Sequence, residues 1–260
     1  MGVRSNFAFI VKYFQLELAA AMEYKANFLI QSVGMFFNDV FWVFFWWLFF
    51  QRFGNLNGWG FNEVAILWAI TTTSFGLCSG FFNSSGKIAR HIEEGKLDYY
   101  LTLPKNVLLH VISRFNYPAI GDLAFGICVA FFFVPAQHAW LFVVSSLLGA
   151  LMLISFGIVV NSLGFWFGRF KEAASASRDC FLIISSYPLS IFGGLTKFFI
   201  IFIFPAGMVS GVPVALMRDF SWVWMGYMVG VTLGFFLLAI GMFYAGLKRY
   251  ESGNTIMMRG

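Results

Sequence analysis

Residues 28–50, FLIQSVGMFFNDVFWVFFWWLFF, hold twenty-three positions with a single ionisable side chain, Asp39. A helix of that length crosses about 30 Å of hydrocarbon. No water-soluble core accommodates such a run easily, and similar runs recur along the chain. The whole sequence is 60% hydrophobic and 11% charged, with 36 Phe in 260 residues. Soluble domains carry about 25% charged residues. The composition therefore excludes a soluble globule and implies one integral membrane domain. Asp39 and its neighbour Asn38 fall mid-span, where a carboxylate facing lipid costs a few kcal/mol. They are expected to face the bundle, a partner chain or a wet cavity.

Polar punctuation divides the rest. Residues 5–27 alternate apolar positions (Phe7, Ile10, Phe14, Leu18) with Lys12, Gln15, Glu23 and Lys25. That pattern predicts an amphipathic helix, capped by Ser5, lying in the membrane interface. The turn 51–60 leads to a second span at 61–82, in which Gly76 and Gly80 suit close helix contact. Further spans are expected at 115–134, 140–167, 175–194 and 222–247. The third carries Pro118 and Asp122, and the fourth Asn161. The apolar stretch from Cys180 to Leu216 is broken by Pro188, Gly193, Gly194, Pro205 and Pro213. It is read as the end of span five followed by a re-entrant outer hairpin at 195–217, since irregular backbone at that depth needs protein cover. Placing the fifth span at 195–212 is the alternative. In the last span Gly226, Gly230 and Gly234 form a tandem GxxxG row, read as a helix-packing face within the chain.

The distribution of Lys and Arg orients this scheme. Of seventeen such residues, fourteen fall in the N-terminal segment, the 83–114 connection, the 168–178 connection and the tail. Arg52, Arg218 and Lys197 are left for the opposite side. By the positive-inside rule both termini are cytoplasmic and six spans is the consistent number. No cleavable signal peptide is recognised. Cys78, Cys128 and Cys180 match no zinc or redox spacing and are read as buried thiols.

Between spans two and three lies the longest polar segment, 84–105. Within nineteen residues it holds Lys87, Arg90, Glu93, Glu94, Lys96, Asp98 and Lys105. A helix from Ser85 to Gly95 is expected, stopped by Gly95. The following LDYYLTLP is expected as an extended or short helical return. A rigid cytoplasmic element of this kind suits contact with a moving partner, and Ile88, Arg90, His91, Ile92, Glu93, Glu94, Gly95, Lys96 and Leu97 are its candidate contact residues. The chain holds no P-loop, no HExxH and no nucleophile elbow. His91, His110 and His138 are scattered. It is expected to be no enzyme, to bind no metal or nucleic acid, and to carry no catalytic residue.

Several motifs in order resemble one family: Gly95, Leu97, Asp98, Tyr100, Leu101 and Pro104 in G-x-LD-x-YL-x-x-P; Tyr187, Pro188, Ile191 and Phe192 in YPLSIF; Pro205; and Tyr250, Glu251 and Ser252 in RYESG. The chain resembles the membrane subunit of a type-two ATP-binding cassette exporter, in its bacterial six-span subfamily of about 260 residues. The resemblance implies an all-α integral membrane fold with an interfacial N-terminal helix, a coupling helix between spans two and three and a re-entrant hairpin before span six. It implies two cytosolic ATPase subunits that carry ATP and Mg, a second permease, identical or paralogous, and residence in the bacterial inner membrane. Asn38, Asp39, Trp42 and Trp46 become candidates for the path of an amphipathic or hydrophobic substrate, with spans one, two and five as the dimer interface. The competing readings are a proton- or ion-coupled carrier working through Asp39 and Asp122, and a membrane scaffold without transport.

Overall fold

In the computed structural model, residues 3–103 and 106–251 are described, with side chains from residue 11 onward. Thirteen α-helices make up the regular structure among these residues. They are α1 (Val3–Glu23), α2 (Lys25–Phe53), α3 (Phe61–Phe82), α4 (Ile88–Glu93), α5 (Leu97–Leu101), α6 (Val107–Ile112), α7 (Ala119–Phe133), α8 (Ala139–Ser162), α9 (Gly164–Phe167), α10 (Lys171–Ser185), α11 (Gly194–Phe202), α12 (Gly211–Arg218) and α13 (Trp222–Leu247). Short 3-10 turns precede α4, α8 and α12 and join α10 to α11. Four continuous helical stretches, built on α2, α3, α8 and α13, are long and apolar enough to cross a membrane. The apolar helix α7, at 15 residues, and α10, also 15, are shorter.

The bundle is built around α3 and α8. Both are largely buried, whereas α2 and α13 turn most of their side chains outward. Leu29, Ile30, Val33, Phe37, Phe41, Phe44 and Phe45 on α2 are exposed on the outside of the chain. Small residues set how closely the central helices approach. A Cβ at Gly121 of α7 would lie 2.1 Å from the Ser32 carbonyl oxygen of α2, and one at Gly76 of α3 would lie 2.6 Å from Leu123 Cγ of α7. One at Gly149 of α8 would meet Ser74 Oγ of α3 at 2.4 Å. Dispersion and close backbone approach take over between apolar helices where the surroundings are as apolar as the side chains.

Polar side chains in the bundle are tied to backbone. Thr71, Thr72 and Ser74 of α3 donate to the carbonyls of Leu67, Trp68 and Ile70, one turn earlier. Ser74 Oγ also lies 3.1 Å from the Ser146 carbonyl of α8. A knot forms where α10 ends. The Ser185 carbonyl accepts from the hydroxyls of Ser210 and Thr71, and Ser185 Oγ donates to the Ala206 carbonyl. These bonds fasten the segment 203–210 under the bundle surface, which gives its irregular backbone the cover it needs.

Several expectations change. The helix expected to carry span five stops at Ser185 rather than 194, because Pro188 biases the residue before it away from helix and the chain becomes irregular through Gly193. The segment 195–217 is two short helices, α11 and α12, around a 3-10 turn at Ala206–Met208. Ser5 lies inside α1 and so does not cap it, and the helix breaks at Tyr24 rather than running to residue 27. The tandem glycines Gly226, Gly230 and Gly234 face open space on α13, with nothing within 4 Å of an added Cβ. Among the described residues they pack on nothing, because α13 meets α8 through another face that includes Met228, Ala239 and Phe243. Cys78 is buried, but Cys128 and Cys180 are exposed on the outside of the bundle.

A matched pair of substitutions checks the packing. Gly121→Leu is expected to lower the thermal unfolding midpoint of the detergent-purified chain, since overpacking typically costs about 1–3 kcal/mol. Gly226→Leu is expected to change the unfolding free energy of the single chain by no more than about 0.5 kcal/mol, as at open surface sites, and so to leave its midpoint close to the parent's.

Candidate coupling site and substrate path

The polar segment after α3 folds as a 3-10 turn at Asn83–Lys87, then α4, then a turn at Gly95 with φ 66°, then α5. The left-handed Gly95 stops α4 in the expected place. The return LDYYL is helical.

Its attachments come from other helices. Helix α4 has no capping side chain of its own. Asn161 near the end of α8 supplies a partner instead: its Oδ1 accepts from the Ala89 N–H at 3.2 Å, while its Nδ2 donates to Gly157 O at 2.9 Å. Gly164 lets Ala89 approach, with the Ala89 Cβ 3.3 Å from where a Cβ would stand. At the other end of α4, the Glu93 carboxylate accepts from the Lys171 N–H at 2.7 Å and meets Lys171 Nζ at 3.6 Å. Lys171 opens α10, so a negative group sits at that helix's positive end. Arg178 of α10 lies over the Phe75 ring at 5.9 Å and against Gly86. Tyr250, past the end of α13, faces Asp98 of α5. Burial and the Asp98 carboxylate push its hydroxyl up to about 12. The LDxYL and RYESG motifs therefore meet in space; Pro104 and Ser252 lie outside the described residues.

Burial sorts the candidate contact residues. Ile88, His91, Ile92 and Leu97 point inward and form part of the core that holds the segment. Arg90, Glu94 and Lys96 are exposed, and Glu93 and Gly95 half-exposed. Tyr99 and Leu101, at 66% and 42% exposure, extend the outward face into α5. Glu94 pairs with Lys96 at 2.5 Å, which holds its carboxyl below the usual carboxylate range. The apolar positions of a charged helix thus serve as its root, and the surface offered to a partner runs through Arg90, Glu94, Lys96, Tyr99 and Leu101.

Helix α1 lies across the same end of the bundle. Phe14 packs on Phe81, Phe82 and Phe115, and the Glu17 carboxylate accepts from the Phe115 N–H. Asn106 caps α6 by accepting from Leu109 N–H, and Tyr244 of α13 donates to it at 2.9 Å. The Asn before VLLHV was a readable cap signal.

The four candidate path residues separate. Trp42 and Trp46 join Trp68 of α3 and Leu182, Ile183, Ser186 and Tyr187 around a cavity of about 220 Å³. Trp42 stacks on Trp68 with ring centres 5.9 Å apart, and Tyr187 meets Trp46 edge-on. Tyr187 belongs to the YPLSIF motif. Asn38 is exposed on α2. Asp39 turns away from this cavity. It is buried against α7, where its carboxyl faces that of Asp122, also buried. The expectation that Asp39 faces the bundle holds, and its partner is another carboxyl 83 positions away.

A family profile described as ABC-2 family transporter protein matches residues 36–254, most of the chain. The chain belongs to the ABC-2 transporter family. No curated protein matches the sequence. The family is a transmembrane component of ATP-binding cassette transporters and is not itself catalytic; the ATPase with which such a permease associates is a separate component. The matched region takes in α3 through α13 and the greater part of α2, so every attachment of the polar segment to α8, α10 and the tail lies inside it.

Removing the Asn161 side chain tests the attachment to α8. Asn161→Leu leaves the Ala89 N–H buried without an acceptor, which costs about 1–3 kcal/mol. Amide hydrogen exchange in α4 is expected to rise by one to two orders of magnitude, while exchange in the middle of α3 stays at the parent rate.

Proposed function

We propose that the permease is half of the membrane domain of an ATP-driven exporter, in which the segment 84–105 transmits the ATPase stroke. The carrying observation is the double attachment of α4: Asn161 binds one end to α8 and Glu93 binds the other to α10, while Arg90, Glu94, Lys96, Tyr99 and Leu101 remain on the outward face. A push on that face reaches two spans at once. A chain without a P-loop takes its energy from a partner, and two cytosolic ATPases holding ATP and Mg would serve a pair of permeases.

In this reading the chain makes six passes at residues 28–50, 61–82, 115–134, 140–167, 175–194 and 222–247, as one permease domain, with α1 in the interface. The helix of the fifth pass occupies Lys171–Ser185, and 195–217 is the re-entrant outer hairpin. Both termini would face the cytoplasm of a bacterium, because the basic residues concentrate in 83–114, 168–178 and the tail of the sequence. Loops 54–60 and 186–193 meet at the other end, where Asn57 Nδ2 donates to Ser190 O at 3.1 Å. An amphipathic or hydrophobic substrate would move outward along the surface of spans one, two and five. The aromatic cavity around Trp42, Trp46, Trp68 and Tyr187 lies on that surface and favours such cargo. The outward-facing GxxxG row of α13 and the exposed face of α2 are available to a second permease, identical or paralogous.

The second reading, a proton- or ion-coupled carrier, is favoured by the meeting of Asp39 and Asp122. A scaffold without transport has no specific feature in its favour. In vesicles holding the permease and its ATPase, transport is expected to continue when the proton gradient is dissipated at constant ATP. Arrest under that condition would favour the carrier. Tyr99→Asp with Leu101→Asp is expected to reduce co-purified ATPase at least ten-fold, about 1.4 kcal/mol, with the unfolding midpoint unchanged. Full retention of the ATPase would remove this face from the coupling surface.

A further inference from the structure

A second recess opens between α4 and the approach to α7, its rim sharing Arg90, Glu94 and Lys96 with the outward face of α4. It has a volume of about 440 Å³ and is predominantly polar. Four cations line it: Lys87 from the 3-10 turn, Arg90 from α4, Lys96 from the Gly95 turn and Arg114 from the approach to α7. Glu94 is the one carboxylate in the lining, and it is engaged by Lys96 and, at 3.9 Å, by Arg90. Among the described residues neither Lys87 nor Arg114 forms an ion pair. The nearby Glu17 of α1 is committed to the Phe115 N–H. Lys87 and Arg114 have thus been brought together without an ion-pair partner among the described residues, at a site of the size that small ligands fill.

His91 adds an independent sign. It is only 7% exposed, lines the same recess and packs its ring against Tyr100. Among the described residues neither ring nitrogen has a partner. Buried imidazole nitrogens are ordinarily hydrogen-bonded. An anion with several acceptor oxygens would take the imidazole N–H and the flanking cations together. The recess is also rigid. Asn83 N–H donates to Arg114 O at 3.2 Å and Asn116 N–H to Gly80 O at 3.0 Å, so the end of α3 and the approach to α7 are held in register. Arg114 is therefore placed by backbone rather than by a charge partner.

We propose that this recess binds a phosphate-bearing anion. Its depth in the molecule favours the headgroup of an anionic lipid. The lining residues are those at which α3 ends and the chain returns toward α7, with the aromatic side of α1 alongside. That is headgroup level if the basic end of the bundle faces the cytoplasm, the one element of the proposed function on which this lipid source rests. Clustered basic groups at that surface attract anionic lipids. A free phosphate compound shares the chemistry. A carboxylate of the ATPase is less suited, because His91 is recessed and Lys87 half-buried beneath the outward face of α4.

The test uses the full-length permease, without ATPase, purified in zwitterionic detergent. Its thermal midpoint is followed while short-chain phosphatidylglycerol, phosphatidylcholine or inorganic phosphate is added. Phosphatidylglycerol is expected to raise the midpoint saturably and phosphatidylcholine to leave it unmoved. In Lys87→Gln with Arg114→Gln the half-saturating concentration is expected to rise at least ten-fold, and in His91→Phe at least three-fold. Without added anion the double variant is expected to melt no lower than the parent, since it relieves repulsion; this separates loss of binding from loss of fold. Lys248→Gln with Arg249→Gln removes the same charge elsewhere and is expected to keep the parent response. A saturable response to inorganic phosphate alone supports the site and assigns it to free phosphate. Equal responses in both double variants, or no saturable response to phosphatidylglycerol or to inorganic phosphate, would overturn the proposal. The ATPase-binding variants at Tyr99 and Leu101 leave this recess intact, so the two readings fail separately.

Discussion

The hydrogen bond from Ala89 N–H to Asn161 is the constraint on which the polar end of the molecule depends. A six-residue helix beginning just beyond a membrane span has unsatisfied N–H groups and too few turns to be stable alone. Asn161 solves this from α8, using its other amide group on its own helix. The segment exists as a helix because α8 holds it there. Glu93 completes the arrangement by serving α10 in the same way that Asn161 serves α4. Each element borrows the cap it lacks from the next, so α4, α8 and α10 order one another.

The same economy runs through the apolar region. Many hydroxyls return to carbonyls one turn back, and some, among them Ser32, Thr71, Ser74, Ser185 and Ser210, reach across to another element. The bonds among Thr71, Ser185, Ala206 and Ser210 fall where the helix pattern is interrupted. Backbone freed by Pro188 and Pro205 has no water to turn to, and the serines at 185 and 210 fill part of the deficit. Among the central helices, Gly76, Gly121, Gly126 and Gly149 allow close approach, each set against a neighbour that leaves no room for a side chain.

Much of the helical layout was legible because polarity marks where a span must end. The second span was expected at 61–82, and α3 runs Phe61–Phe82; Gly95 announced the end of α4 through the one residue that adopts a positive φ freely. What stayed hidden depends on partners distant in the chain. Gly226, Gly230 and Gly234 carry the sign of a packed face, but composition does not say what stands opposite, and none of the described residues does. Asp39 had to face something polar, and only the fold names Asp122. Ile88, Ile92 and Leu97 looked like a docking stripe because an amphipathic segment shows the same pattern whether its apolar side meets a partner or its own bundle. The recess around His91 and Arg114 left a trace as an excess of basic residues, which the topology argument absorbed.

Helix α10 can be considered as a mechanical part. Fifteen residues make a rod of about 22 Å. Its first residue is held by the Glu93 carboxylate and its last by the hydroxyls of Ser210 and Thr71. A rod pinned at both ends passes on displacement with little loss. Tilting α4 by a small angle would therefore pull on Lys171 and lift the 203–210 bend at the far end, with no change in the rod itself. On the proposed coupling, α10 would serve as a pushrod whose linkage rests on one carboxylate at one end and three hydroxyl groups at the other.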